Sequence, residues 1–171
     1  MTDFMTMKYN VDMAFCIDAT GSMSPVLETV KQNALNFYDD VTKVMNEKQK
    51  SIDRLRIRVI AFRDYLADGD RAMFATNFFD LPAQAREFET CIKSISAKGC
   101  GDEPEDALEA LAYAIKSDWS KEGTKRRNVI VVWTDASTHE IGFGKTAANY
   151  PKGMAQSFAE LTSWWGDEQT E

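Results

Sequence analysis

Three oxygen-bearing side chains, those of Asp18, Thr20 and Ser22, stand two residues apart directly after the apolar segment 11–17. An apolar run of this length predicts a buried strand, and the Ser-Pro pair at 24–25 predicts the N-cap and first residue of a helix. The three side chains therefore belong to a strand-to-helix turn, where open α/β sheets bind their ligands. One carboxylate and two hydroxyls form an oxygen-only donor set, which favours Mg²⁺, Mn²⁺ or Ca²⁺.

Two more acidic positions follow at matching places in the chain. A second apolar segment, residues 128–134, predicts another buried strand and is followed by Asp135. Between the two strands, the glycine-rich stretch 99–106 contains Asp102 just before a predicted helix. Because the carboxyl ends of parallel strands meet at one edge of a sheet, these carboxylates are expected to converge. The sequence predicts a divalent metal site formed by Asp18, Thr20, Ser22, Asp102 and Asp135.

Each of these residues also has an ordinary structural explanation. Aspartate, threonine and serine are common in turns, where their side chains hydrogen-bond nearby backbone groups. Glu105 and Asp106 follow Pro104 in the first turn of a predicted helix, where acidic side chains suit the helix dipole. We assign that structural role to these two acids and keep Asp102 as a candidate metal ligand.

These segments, in this order, resemble the von Willebrand factor A (VWA) domain and its metal-ion-dependent adhesion site, of an intracellular bacterial type. The resemblance spans roughly residues 10–165 and implies that residues 1–171 form a single VWA domain. The family's first motif, with threonine where serine is commoner, and its closing aspartate fall on Asp18, Thr20, Ser22 and Asp135.

The family's loop threonine falls on Asp102, as in a bacterial branch whose loop reads Gly-Asp-x-Pro-Glu-Asp. With Asp18, Asp102 and Asp135 the site holds three negative charges, so it should bind a divalent cation without help. In the usual form of the family, two carboxylates leave the ion electropositive enough to require an acidic ligand from the protein partner. That requirement is weaker here.

The resemblance implies a non-enzymatic, metal-dependent protein–protein interaction module. The branch is often encoded with Ser/Thr kinases and phosphatases or with tellurium-resistance-type proteins, which implies a signalling or stress-response complex. The competing class is a Mg²⁺-dependent phosphatase of the haloacid dehalogenase type, which also places an aspartate after its first strand. That chemistry needs a second aspartate two residues later as acid and base, and this position is Thr20. A metal-dependent hydrolase that activates water is a further alternative, but this sequence offers no obvious general base beside the site.

Two further features lie near the predicted site. His139, the only histidine, follows Asp135 by four residues. An imidazole is unusual in an all-oxygen site, so we expect a loop position or an outer one rather than a ligand. Arg63 and Asp64 follow another predicted strand and are similar to a pair in the same bacterial branch. A local ion pair and a place on the rim of the site are both open for them.

Composition limits the partners and the compartment. The net charge of −7 argues against a nucleic-acid partner. We expect no membrane association, because the chain has neither a signal peptide nor an apolar run long enough to span a bilayer. Three cysteines without metal-type spacing favour a reduced, cytoplasmic setting, with Cys16 as a core residue and a Cys91–Cys100 disulfide left open.

Strands and helices alternate along the chain. Strands are predicted at 11–17, 55–62, 74–79 and 128–134, and helices at about 25–45, 83–95, 105–117 and 153–165. This order predicts a doubly wound, Rossmann-like α/β fold, in which a mostly parallel central sheet is flanked by helices on both faces and the short 74–79 strand is antiparallel.

The resemblance also implies one or two further strands that this chain lacks. The 128–134 strand then becomes a sheet edge that is apolar on both faces. We therefore predict self-association through this edge or through the helix surface around Phe158 and Trp165.

Overall fold

The computed structural model describes residues 7–99 and 104–169 of the chain. Within these residues a central sheet is flanked by helices. The strands are β1 (Met7–Asp18), β2 (Lys50–Phe62), β3 (Met73–Ala75), β4 (Phe79–Leu81) and β5 (Arg126–Trp133); the helices are α1 (Leu27–Glu47), α2 (Tyr65–Asp68), α3 (Ala85–Ser94), α4 (Ala107–Ile115) and α5 (Phe158–Gln169).

The three long strands are parallel, with β1 between β2 and β5. Their register aligns Asp18 with Phe62 and Ile17 with Trp133, so all three strands end at the same edge of the sheet. This edge positions the candidate site. The short strands β3 and β4 both pair antiparallel with β2. The predicted 74–79 strand is thus two strands separated by a short connection, and the antiparallel prediction is confirmed.

Alternate residues of β1 supply two separate cores. Phe15 and Ile17 pack with α1 and α3, whereas Ala14 and Cys16 face the opposite side and pack with α4. This alternation follows from the two-residue period of a strand and accounts for helices on both faces. Cys16 is fully buried, as predicted, and burial raises the pKa of its thiol to about 12.

Helix α1 begins later than predicted. Ser24 is not its N-cap; its backbone N–H instead closes a 3-10 turn over Gly21–Met23 by bonding to the carbonyl of Gly21. The helix starts at Leu27, with Val26 in the N-cap position. The residues between β1 and α1 are used by the turn that carries the candidate metal ligands.

The starts of α4 and α5 also differ from the prediction. The backbone of Glu105 pairs with Thr138 in an isolated β-bridge, so the chain is extended there and α4 begins only at Ala107. Helix α5 starts at Phe158 rather than near 153, because Ser157 accepts a hydrogen bond from the N–H of Glu160, as an N-cap serine does. Met154 therefore lies outside the helix.

Strand β5 forms one edge of the sheet within the described ranges, as the sequence predicted. In the same residues no helix combines the length and apolar character needed to cross a lipid bilayer.

Candidate metal centre

The turn after β1 folds back onto the carboxylate of Asp18. Thr20 donates to Oδ1 of Asp18 twice, from its backbone N–H at 2.9 Å and from its hydroxyl at 2.6 Å. The Thr20 and Ser22 hydroxyl oxygens lie 3.0 Å apart. Asp18 and Thr20 are buried, whereas Ser22 is exposed. The spacing of two residues therefore places three oxygen donors side by side on one turn.

The end of β5 completes the arrangement from the neighbouring strand. The Ser22 hydroxyl donates to Oδ1 of Asp135 at 3.0 Å, and the Thr134 hydroxyl donates to Oδ2 of Asp18 at 2.8 Å. Asp135 is exposed. The structure thus brings together the predicted residues Asp18, Thr20, Ser22 and Asp135 in one continuous row of oxygens, each within 3.0 Å of the next, with its buried end at β1 and its exposed end at Asp135.

The donor set suits a hard divalent cation. Neighbouring ligands around an ion with metal–oxygen bonds of about 2.1–2.4 Å lie about 3 Å apart. In the row of oxygens from Asp18 to Asp135, neighbouring atoms are 2.6–3.0 Å apart. Small shifts of these side chains would let their oxygens surround an ion. Two carboxylates and two hydroxyls also match the ligands that Mg²⁺, Mn²⁺ and Ca²⁺ prefer. The residues present fit such a cation.

The fifth predicted ligand, Asp102, lies outside the described residues. Both flanks of its loop adjoin the candidate site. A Cβ on Gly21 would stand 3.1 Å from the carbonyl oxygen of Gly99, so the loop approaches the turn closely. On the other flank, the backbone of Glu105 pairs with the segment that follows Asp135.

Arg63 holds this edge of the sheet together through backbone carbonyls. Its guanidinium donates to the carbonyl oxygens of Ala19, Arg71, Ser96 and Lys98 at 2.7–2.9 Å. Burial lowers the pKa of Arg63. The local ion pair with Asp64 is absent among the described residues, so that interpretation is wrong. Arg63 spans the loops around the site, and the Asp64 side chain points to a different set of partners.

Asp64 belongs to a second polar cluster at the same edge. Its Oδ1 accepts the N–H of Ala67 at 2.7 Å, and its Oδ2 lies 3.0 Å from Nε2 of His139. Ligand atoms of Asp64, Asp106 and His139 all lie within 4.8 Å of one another. His139 is thus close to Asp64 and Asp106, and no hydrogen bond joins it to Asp18 or Asp135 among the described residues.

Glu105 and Asp106 are not the solvated first turn of a helix. They are 2% and 0% exposed, and both precede α4. Burial, reinforced by the charge of Asp18, raises the pKa of Glu105 to about 8. Burial also raises the pKa of Asp106 to about 6, against the effect of the hydrogen bond from the N–H of Tyr65. The predicted place of these two acids in the first turn of a helix is wrong, because the chain is extended at Glu105 and α4 begins only at Ala107.

Sequence reasoning missed Thr134 and the Asp64, Asp106 and His139 cluster. Thr134 directly precedes Asp135 and carries a hydroxyl, so its position at a strand end was a usable signal. The cluster gives no local pattern because its three residues come from three segments widely separated along the chain. Long-range contacts bring these segments together, among them the β-bridge between Glu105 and Thr138 and the hydrogen bond from the N–H of Tyr65 to Asp106.

No family model matches the chain. Over 143 residues it is 26% identical to the alpha-protein kinase vwkA of Dictyostelium discoideum. The match covers 84% of this chain and 21% of the kinase, so the chain spans about a fifth of the length of this curated relative.

Solved structures of a pilus adhesin, SpaC from Lactobacillus rhamnosus GG, share the fold. One is an open conformation with a TM-score of 0.52 and 12% sequence identity, covering 74% of this chain and 14% of the adhesin. A second crystal structure of the adhesin has the same TM-score and 14% identity, covering 74% of this chain and 15% of that one. These matches support the α/β architecture with a mostly parallel central sheet.

Proposed function

We propose that this chain is a non-enzymatic, metal-dependent protein–protein interaction module with the VWA arrangement. A Mg²⁺ ion, or Mn²⁺ or Ca²⁺ in its place, would be held by Asp18, Thr20, Ser22 and Asp135, with Asp102 as a further ligand from the adjoining loop. The proposal extends to a cytoplasmic location and to a role in a bacterial signalling or stress-response complex.

One observation carries the proposal. Oxygens of the four predicted ligands, from two neighbouring strand ends, form a single row in which neighbours are 2.6–3.0 Å apart, and these separations suit a cation. The buried Asp18 fixes the inner end and the exposed Asp135 leaves the outer end open. An ion there would be anchored by the sheet and still accessible to another molecule.

The surroundings favour binding over catalysis. When bound, the cation would supply an electropositive position to an acidic group of a protein partner. Thr20 stands where a phosphatase of the haloacid dehalogenase type needs a second aspartate, and its hydroxyl is committed to Asp18. The three carboxylates make an acidic ligand from the partner useful rather than required.

The kinase match supports a modular role in signalling. The matched region is about a fifth of a protein named as an alpha-protein kinase, which suits a module that serves a larger polypeptide. Association with a kinase or phosphatase is therefore the partner class that we propose to test first.

The test joins metal binding to partner capture. Isothermal titration with Mg²⁺ should show binding to the wild-type chain and a loss of affinity of more than about 100-fold in Asp18→Asn. Tagged chain should retain partners from host lysate in Mg²⁺, lose them in chelator and recover them when Mg²⁺ is restored. Asp53→Asn is the matched control, because Asp53 is an exposed carboxylate near the start of β2, far from the strand ends.

A folded Asp18→Asn variant with unchanged Mg²⁺ affinity would reject the metal site. Partners that are retained equally in chelator and by Asp18→Asn would reject metal dependence. Turnover of a generic phosphate ester that needs Asp18 would reject the non-enzymatic assignment.

Self-association through β5 stays a separate prediction. Val132 on this edge is 41% exposed and Phe158 on the adjacent helix is 59% exposed. Light scattering at high concentration tests it, and a clean monomer would contradict it.

A further inference from the structure

The cluster of Asp64, Asp106 and His139 consists of residues that do not belong to the candidate Mg²⁺ site. Asp64 follows β2, Asp106 precedes α4 and His139 follows β5, so the fold must assemble three remote segments to form it. Among the described residues, no hydrogen bond joins any member of the cluster to Asp18 or Asp135. The two groups therefore have separate donor atoms.

The cluster has buried oxygens without partners. Asp106 is 0% exposed, and its Oδ2 accepts the N–H of Tyr65 at 2.6 Å. Its Oδ1 and the Oε2 of neighbouring Glu105 are also buried, and within the described ranges neither has a hydrogen-bond partner. Burying such an oxygen unpaired is unfavourable, so an unpaired group in a folded protein calls for an explanation. A cation bound to the cluster would supply a partner for Oδ1 of Asp106.

Two donor atoms of the cluster are already held at a coordinating separation, and the third lies within 4.8 Å of both. His139 Nε2 and Asp64 Oδ2 lie 3.0 Å apart, the distance between two neighbouring ligands about 2.1 Å from one ion. The imidazole stacks on Phe143 with 3.8 Å between ring centroids, and the other oxygen of Asp64 is held by the N–H of Ala67. Supporting contacts of this kind orient metal ligands before the metal binds.

We propose that Asp64, Asp106 and His139 bind a transition-metal dication of the Zn²⁺ class, separately from the Mg²⁺ site at Asp18. One imidazole and two carboxylates favour Zn²⁺ or Mn²⁺ over Mg²⁺ and Ca²⁺, which prefer oxygen alone. The ion would neutralise two buried carboxylates and cross-link the segments that follow β2, precede α4 and follow β5. Its role would be to stabilise the loop that also carries Asp135.

In the test, the full chain is first freed of bound metal, then saturated with Mg²⁺ and finally titrated with Zn²⁺. Wild type and Asp18→Asn should each bind one Zn²⁺, whereas His139→Asn should bind it about 100-fold more weakly and keep its Mg²⁺ affinity. Asp106→Asn tests the second ligand. Glu140→Gln is the matched control, because Glu140 is exposed and adjacent to His139 but outside the cluster.

Thermal melting gives an independent measurement and checks folding. Zn²⁺ should raise the Tm of wild type, Asp18→Asn and Glu140→Gln, but not of His139→Asn or Asp106→Asn. The proposal is overturned if Mg²⁺-saturated wild type binds no Zn²⁺, if a folded cluster variant binds it as tightly as wild type, or if Asp18→Asn abolishes Zn²⁺ binding. Unchanged Mg²⁺ affinity in Asp18→Asn would count against the proposed function alone.

Discussion

The two ends of the parallel sheet differ in whether their buried acidic side chains are paired with arginine. Towards the amino ends of the strands, Asp12 is 3% exposed and accepts two hydrogen bonds from Arg56 at 2.8 and 2.5 Å. Arg54 forms a similar two-bond pair with Asp80. Each buried or half-buried acid there has an arginine beside it, so the charge is neutralised within the fold.

The carboxyl edge of the sheet concentrates acids instead. Six acidic residues are buried at this edge: Asp18, Asp64, Asp68, Glu105, Asp106 and Glu109. Within the described residues, their side-chain contacts with basic residues are the hydrogen bond between Asp64 and His139 and a 3.8 Å contact from Asp68 to Arg71. Arg63 lies nearby but directs its hydrogen bonds to carbonyl oxygens. Buried acids are therefore paired with arginines towards the amino ends of the strands, whereas at the carboxyl edge most of them have no arginine or lysine partner among the described residues.

Removing the acid from the self-neutralised end should have the largest effect on the fold. Asp12→Ala leaves Arg56, whose side chain is 12% exposed, without its partner and removes the acceptor for the N–H of Ser120. We expect a loss of about 3–5 kcal/mol in the free energy of unfolding, measured with urea. Asp53→Asn, which alters an exposed pair, should change it by less than about 1 kcal/mol. Equal losses in both variants would remove the contrast between the ends.

The acid-rich end should destabilise the metal-free chain as the pH rises. The folded state holds the pKa of Glu105 at about 8, above its ordinary 4.5, so between these values the unfolded chain releases a proton that the folded chain retains. Stability is therefore fully present below pH 4.5 and declines until about pH 8. Between pH 5 and pH 8 in chelator we expect a loss of roughly 3–4 kcal/mol.

Glu105→Gln should make this pH profile flatter, since it removes the titrating group and keeps its shape. Asp106 contributes a smaller part of the loss, below pH 6. A profile that is identical in wild type and Glu105→Gln would show that Glu105 does not carry the effect.

Some features of the carboxyl edge could be predicted from the sequence, and others could not. The apolar runs and the Asp-x-Thr-x-Ser spacing are local patterns, so β1, β5 and the turn between Asp18 and Ser22 were predictable. Their convergence followed from the rule that parallel strands end together. VWA membership and metal binding remain predictions.

Residues 104–106 show why the rest was missed. Pro104, Glu105 and Asp106 have the composition of a helix start, and local propensity favours that conformation. The β-bridge to Thr138 overrides this preference, because it uses backbone groups of a segment more than thirty residues away. Burial of these acids is decided by the same long-range contact, which no periodicity in the sequence reports.

Asp102→Thr tests the charge count at the acid-rich end. The change restores two carboxylates, so we expect Mg²⁺ affinity to fall by about tenfold, as for loss of one favourable ionic contact. Excess acetate should recover part of the affinity in the variant and have little effect on wild type. Titration calorimetry measures both, with Asp53→Asn as the control. Equal affinities in wild type and Asp102→Thr would show that Asp102 does not contact the ion.

Thr134→Val should have the smallest effect. It tests whether the hydrogen bond from Thr134 orients the Asp18 carboxylate for the cation. The Thr134 hydroxyl donates to Oδ2 of the fully buried Asp18, and valine keeps the shape of threonine while removing that donor. We expect unfolding free energy to fall by about 1 kcal/mol and Mg²⁺ affinity by up to about tenfold, since Asp18 would be less firmly oriented. Thr134→Ser, which keeps the hydroxyl, should retain wild-type affinity. If valine and serine variants bind Mg²⁺ equally, the orientation of Asp18 depends on the Thr20 hydrogen bonds alone.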